Sequence, residues 1–508
     1  MTNDNQTMNT GKSVLIIGAG IAGLAAGCYA RMNGYNVRIL EMHNIPGGLC
    51  TAWNRKGYTI DGCMHWLVGS SQKSGFYKIW SELGAIQGKR FVEFDEFMRY
   101  ETSDGKTVCF YADPKRLEEH LTLLFPADRG PIKKFCNAVS ALSDVELPVD
   151  KAPETMGPLD AALMLAKIGP ALPRIIKWGR VTLGDFCKKF SSPGLREAFS
   201  SIWLPETSML FAVYTFAWLS NKTAAYPLGG SLPFAKAIEK RLVDLGGQIV
   251  YKNRVRKFAV SAGEIVGVET DDASMHHADW YVSAADAHGT FFDLLGNGFV
   301  TEQMKNLFST PLFPPIIYAG VGVNMGFESF PRLAAGISMR LDIPMKIAGG
   351  SYDILPVMVE NFDPSLAPPG KTVLKVMLGT DYDYWKALET DRPRYLEEKD
   401  RVAGEIVRAL DSRFPGLAAN VEMVNIATPH TFVRYTGNWR GSFEGFQMTP
   451  KNIFKPPSKS VPGISNLFLC GQWVEPGGGL PAVAMSGRNV VQILCKKDGV
   501  KFRTTVPD

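Results

Sequence analysis

Residues 14–17, Val-Leu-Ile-Ile, run without a polar break into Gly18-Ala19-Gly20-Ile21-Ala22-Gly23, and no other feature constrains the chain as tightly. A short, wholly apolar run is the pattern of a parallel strand buried on both faces. An alanine-rich stretch follows and ends at Asn33-Gly34, which reads as a helix and its stop signal. Residues 37–40, Val-Arg-Ile-Leu, predict a second strand, closed by Glu41 and Met42. Strand, glycine turn, helix, strand and acid in this order form a βαβ unit built to bind a dinucleotide. Gly18 permits the tight turn, Gly20 lets backbone approach a pyrophosphate, and Gly23 lets the helix lie close on the strand. At Ile21 and Ala22 the helix N-terminus turns its unpaired amides and positive end towards the phosphates. Glu41 is placed to accept hydrogen bonds from a ribose, which favours FAD or NAD over a 2′-phosphorylated cofactor.

The rest of the composition is ordinary. Of the 508 residues, 45% are hydrophobic and 21% charged, so disorder, collagen and coiled coil are excluded. The length suits two or three domains, or one large interleaved unit. Lys and Arg outnumber Asp and Glu by only 55 to 50, too small a surplus for a nucleic-acid partner. The eight cysteines form no Cys-x-x-Cys pair and are irregularly spaced, so neither a metal site nor a disulfide framework is expected. Residues 1–10 are polar and lack the pattern of a signal peptide, so a reducing, cytoplasmic setting is expected. Two uncharged runs, 13–30 and 306–327, could pass for membrane spans. The first is broken by the glycines just described, and the second holds Pro311, Pro314 and Pro315 before alternating as a strand does. No transmembrane helix is expected.

Three further blocks carry a family resemblance. Pro46-Gly47-Gly48-Leu49 follows Glu41 closely, with Thr51, Gly57-Tyr58 and Asp61-Gly62 after it. Tyr226-Pro227-Leu228-Gly229-Gly230 precedes a predicted helix ending at Leu245-Gly246-Gly247, a strand over 248–251, Val255, a hairpin at Ala262-Gly263, and an apolar return through 278–285 that contains Ala284. Near the C-terminus, residues 466–471 read as a strand entering a glycine turn. Gln472-Trp473-Val474-Glu475-Pro476, Gly477-Gly478-Gly479-Leu480-Pro481 and a small-residue helix follow. Together these blocks resemble the FAD proteins of the amine oxidase superfamily, and over nearly the whole chain the phytoene desaturase, carotenoid isomerase and retinol saturase group. The stretch from Ala427 through Arg434-Tyr435 to Gly441 is similar to one in the same group.

The resemblance implies that Gly47, Gly48 and Leu49 pass beside FAD and that Asp61-Gly62 leads towards the flavin ring. It implies too that Val255 approaches adenine, that Ala284 returns the chain to the cofactor, and that Gly471, Gln472, Gly479, Leu480 and Pro481 meet flavin and phosphates. Amine oxidases usually carry arginine where this chain has Leu49, and His65 after the Asp-x-Gly segment is closer to retinol saturases.

The expected fold is α/β: a Rossmann-type FAD-binding domain assembled from 12–71, 225–295 and 416–497. An interleaved α+β substrate domain comes from 72–224 and 296–415, with tails at 1–11 and 498–508. No second glycine fingerprint follows a strand, so the flavin is expected to exchange its hydride directly with an organic substrate, with an unidentified electron acceptor or donor completing the cycle. The expected activity is that of an FAD-dependent oxidoreductase acting on carbon–carbon bonds of a lipophilic polyene, by desaturation, saturation or isomerisation. A flavin amine oxidase, disfavoured by Leu49 and the apolar central region, and a non-catalytic FAD-binding lipid carrier are the alternatives. His65 and Glu475 are the candidate proton carriers, and Arg434 a candidate for binding a carboxylate or the flavin. Residues 161–183 are apolar, with Lys167, Arg174, Lys177 and Arg180 and no acid, which suits docking on an anionic membrane surface. Residues 208–219, rich in aromatic side chains, suit the wall of a hydrophobic tunnel.

Overall fold

The computed structural model describes residues 10–507 except Pro476 and Gly478. Most of the expected N-terminal tail and these two residues of the last glycine block lie outside the described residues. A five-stranded sheet is built from strands far apart in sequence, in the order Gln248–Val250, Asn36–Leu40, Ser13–Ile17, Trp280–Ser283 and Leu467–Leu469. All four pairings are parallel, with Val14 opposite both Val37 and Trp280. Parallel strands need crossovers, and each crossover here carries a helix or a whole insertion. Helix Ile21–Met32 packs between the sheet and two other helices, Ser231–Asp244 and Gly479–Lys497.

Small residues permit that packing. A Cβ on Gly23 would lie 2.0 Å from the Gly18 carbonyl oxygen, and one on Gly487 would lie 2.4 Å from that of Ala22. The other face of the sheet is covered by the antiparallel strands Val255–Ser261, Glu264–Thr270 and Met275–His276. The expected hairpin at Ala262-Gly263 is present, both residues at positive φ.

A second sheet of seven strands has the order Val421–Ala427, Ile316–Val323, Thr372–Gly379, Gly350–Val359, Ile337–Ile347, Glu96–Glu101 and Thr107–Tyr111. Its pairings are antiparallel except where 337–347 meets 96–101. Every residue of Ile316–Val323 is buried, as befits a central strand, and helix Arg392–Arg413 closes one face. The strand Val421–Ala427 belongs to this sheet, so the boundary expected at residue 416 is corrected: the chain returns to the cofactor sheet only after residue 427. Its alternation alone did not say which sheet it would join.

Residues 114–220 add a helical body. Helix Met209–Ser220 is apolar on all sides and largely buried, whereas helix Pro158–Ile168 buries none of its residues. Among the described residues no helix is long and apolar enough to cross a membrane.

Overpacking a close helix crossing costs about 1–3 kcal/mol. Gly487→Ala should therefore lower the thermal transition. Gly130→Ala, where the added methyl meets nothing within 4 Å, should leave it unchanged or raise it. Equal transitions for the two variants would contradict this packing.

Candidate active site

A cavity of about 660 Å³ begins at the C-terminal edge of the parallel sheet and reaches the seven-stranded sheet and helix Met209–Ser220. The C-terminal edge of such a sheet is where ligands bind, because helix N-termini converge there. Gly18, at φ +97°, turns the chain, and its N–H donates to the Leu40 carbonyl at 2.8 Å. A Cβ on Gly20 would meet nothing within 4 Å, so backbone there faces open space, and no side chain caps the helix behind it. Gly47, at φ +108°, donates its N–H to the Ala19 carbonyl at 2.8 Å and so ties the second glycine pair to the first turn. Glu41 accepts from the Ala19 amide at 2.6 Å through Oε2 and from the His43 amide at 2.7 Å through Oε1. Each oxygen keeps a lone pair for a ribose hydroxyl.

Of the residues expected to hold the cofactor, Gly18, Gly20, Ile21, Ala22, Glu41 and Met42 line this end of the cavity, with Gly47, Gly48 and Leu49 beside them. From other parts of the chain come Val255, Ala284, Gly471 and Gln472, and, from the start of the last helix, Gly479, Leu480 and Pro481. Gly23 lies behind the wall, where its missing side chain serves helix packing. Among the buried polar atoms at the cavity that lack a partner are Asn253 Oδ1 and Gln472 Nε2. An open glycine cradle, uncapped amides, a ribose-ready carboxylate and two waiting polar atoms fit a bound dinucleotide.

The far end is shaped by Asp61, which is 1% exposed. Its carboxylate accepts from the amides of Cys63 and Met64 at 3.0 and 3.1 Å, from the Ser231 amide at 2.8 Å and hydroxyl at 2.5 Å, and from the Tyr226 hydroxyl at 3.3 Å. That set holds the turn at 61–65, and so His65, against the cavity. His65 Nε2 is buried without a partner, and burial reinforced by the Lys375 charge lowers its pKa to about 3. The imidazole is therefore neutral at ordinary pH.

The surrounding wall is aromatic. Phe211, Thr215 and Trp218 fall on one stripe of helix Met209–Ser220 and face the cavity, while the rest of that helix is core. Trp66 and Trp203 continue the wall, with ring centroids 6.4 Å apart, and Trp203 lies 4.8 Å from Phe211.

The structure does not bring Glu475 to the cavity. Its carboxylate is 2.7 Å from Lys459 Nζ, which also meets Glu154 at 3.1 Å. Arg434 likewise does not line the cavity and is exposed, over the ring of Tyr435. Two acids that the sequence reading missed do line it. Asp286, just beyond the strand Trp280–Ser283, accepts from the amides of Gly289 and Trp439 at 2.6 and 2.8 Å, and burial raises its pKa to about 7. Its position after a parallel strand was the available signal. Glu444 lies near the last glycine block, with Oε1 3.5 Å from where a Gly479 Cβ would stand. Burial without a compensating charge raises it to about 7 as well. No local pattern marks Glu444 as buried.

Comparison with known proteins agrees with this geometry. The model of the family described as flavin-containing amine oxidoreductase matches residues 21–495. Prolycopene isomerase 1 of an Oncidium hybrid cultivar is 26% identical, over 97% of this chain and 85% of its own length. A lycopene-forming phytoene desaturase of Pseudescherichia vulneris is 24% identical, over 95% of this chain and 99% of its own. Among solved structures, an oxidoreductase from Methanosarcina mazei shares the fold with a TM-score of 0.58 at 18% identity, covering 94% of this chain and 100% of that one. The chain belongs to the flavin-containing amine oxidoreductase family and is an FAD-dependent oxidoreductase.

Proposed function

We propose that the enzyme acts on carbon–carbon bonds of a lipophilic polyene, by desaturation, saturation or isomerisation. The observation that carries this reading is the aromatic wall of Trp66, Trp203, Phe211 and Trp218 opposite the glycine cradle, in one continuous cavity. A long apolar chain entering that arm buries its surface at about 25 cal/mol per Å², and its conjugated face meets indole and phenyl rings. The names of the prolycopene isomerases and phytoene desaturases among the relatives support the same substrate class. Leu49, in place of the arginine usual in amine oxidases, argues against an amine substrate.

Bound FAD supplies the hydride acceptor or donor. Gly18, Gly20 and the amides of the following helix would hold its pyrophosphate, Glu41 its ribose and Val255 its adenine. Gln472 and the turn at Gly479 would hold the other end. The aromatic wall orients the polyene and excludes water. Glu444 is the proton carrier: near neutral pH its carboxyl is poised between acid and base, which is the condition for moving a proton beside a hydride step. His65, neutral and unpaired at Nε2, offers a hydrogen bond to the same region. Glu475, held by Lys459, takes no part.

Anaerobic flavin spectroscopy with detergent-solubilised polyenes and product analysis tests the reading. A polyene should bleach oxidised flavin, reoxidise reduced flavin, or change its own double-bond geometry. A desaturating step needs the Glu444 carboxylate, so its rate should rise through about pH 7; a saturating step needs the acid, so its rate should fall there. In Glu444→Gln that inflection should vanish and the rate drop by about 10²–10⁴. Inertness towards every polyene, with rapid reduction by amines, would overturn the proposal.

A membrane surface is the proposed source of the substrate. On helix Pro158–Ile168, Leu159, Leu163 and Leu165 are 74%, 63% and 54% exposed. Lys167, Arg174, Lys177 and Arg180 stand exposed beside or just after them. Apolar side chains flanked by cations are what an anionic bilayer surface binds. The wild-type enzyme should co-sediment with anionic vesicles and be released by salt. The pair Leu159→Ser and Leu163→Ser should stay in the supernatant, and equal sedimentation of both proteins would refute docking through this helix.

A further inference from the structure

Two cysteines face each other in the cavity wall. The hairpin of Ala52–Arg55 with Tyr58–Asp61 pairs Ala52 with Asp61, Trp53 with Ile60, Asn54 with Thr59 and Arg55 with Tyr58. The register continues for one more step, since the Gly62 N–H donates to the Thr51 carbonyl at 2.9 Å. The next step sets Cys50 opposite Cys63. The Thr51 N–H turns back to the Leu49 carbonyl at 2.9 Å, so the ladder ends at Thr51 and Gly62, and Cys50 and Cys63 are the residues that flank its last contact. Facing residues of an antiparallel pair stand about 4.5–5.5 Å apart in general, within the range of about 4.4–6.8 Å that a disulfide spans.

The side chains meet as the register requires. Cys63 acts electrostatically on the Cys50 thiol and holds its proton, and Cys50 Sγ donates to the Ser231 carbonyl at 3.5 Å. Both residues are free thiols and both line the cavity that holds the glycine cradle. Their exposures differ usefully. Cys50 is 1% exposed, and Cys63, partly open, is the sulfur within reach of the cavity. The hydrogen bonds of Asp61 to the Cys63 and Met64 amides, at 3.0 and 3.1 Å, hold this side of the pair in place. The remaining six cysteines are buried singly in the core and carry no such partner relation.

We propose that Cys50 and Cys63 are a redox-active dithiol that exchanges two electrons with the bound flavin. Oxidation breaks two S–H bonds and forms one S–S bond; the electron pair and a proton pass to oxidised FAD, and the second proton leaves through the cavity. The reverse step, from reduced FAD, opens the disulfide. Cys63 is the entry sulfur, because it is the partly open one of the two, while the neighbouring Cys63 and burial hold the proton on Cys50. The pair lets a small thiol or dithiol reductant load the enzyme without touching the apolar arm. The proposal depends on the flavin and not on the polyene reading.

Anaerobic titration of the holoenzyme tests it, after oxidation with oxidised glutathione and removal of the excess. Dithionite should deliver four electrons per flavin to the wild type, and two to Cys63→Ser and to Cys50→Ala. In parallel, the wild type is denatured and alkylated before and after reduction. In the oxidised wild type, peptides containing Cys50 and Cys63 should be joined and resist alkylation; after reduction both should be alkylated. This second readout needs no variant to fold. Uptake of two electrons by the wild type, with both cysteines alkylated in the oxidised enzyme, would overturn the proposal. So would a disulfide that stays closed once the flavin is fully reduced.

Discussion

One buried carboxylate joins the cofactor half of this protein to its substrate half. Asp61 accepts five hydrogen bonds from the 61–64 turn and the Tyr226–Ser231 segment. Its own carbonyl accepts one at 2.5 Å from the hydroxyl of Tyr318, in an interior strand of the seven-stranded sheet. A charge removed from water persists only when its lone pairs are filled, and removing it here would strand several donors at once. The neighbouring glycine answers the same constraint. Gly230 is at φ +68°, and a Cβ there would lie 2.0 Å from Asp61 Oδ2. Two sequence blocks about 165 residues apart are thus one structural feature, and the positions of Cys63, His65 and the cavity floor follow from it.

The chemistry of the cavity follows from dehydration more than from charge pairs. Burial lowers His65 to about 3 and raises Glu444 to about 7. Between those values both groups are neutral, so the reacting end presents hydrogen bonds to the substrate without fixed charge. The buried Lys375–Glu360 pair, with atoms 2.5 Å apart, stands behind this region and contributes to the depression of His65. A low-charge, aromatic-walled site beside a dinucleotide cradle is suited to moving hydride and proton on a hydrocarbon, where water would compete for both.

Much of this was legible in the sequence because backbone requirements leave residue-specific marks. A tight turn, an approach to phosphate and a helix crossing each demand glycine, so Gly18, Gly20 and Gly23 could be placed by inspection. The stripe Phe211, Thr215 and Trp218 was readable as an aromatic cluster, though not which face met the cavity. Burial of a single acid leaves no local mark. Glu444 therefore escaped notice, and Asp286 was marked only by its place after a parallel strand, whereas Glu475, inside a glycine block, drew attention and is instead paired with Lys459. The strand Val421–Ala427 was given to the wrong half because alternation reports burial on one side and not the identity of the neighbouring strand.

The central claim is that one cavity holds FAD along the glycine cradle and a polyene along the aromatic arm. The direct measurement is a crystal structure of the holoenzyme with a bound polyene. The account predicts pyrophosphate at Gly20, ribose on Glu41, and a hydrocarbon chain running from Glu444 and His65 along Trp66, Phe211 and Trp218. A polyene found outside this arm, or an arm closed off from the flavin once FAD is bound, would contradict it.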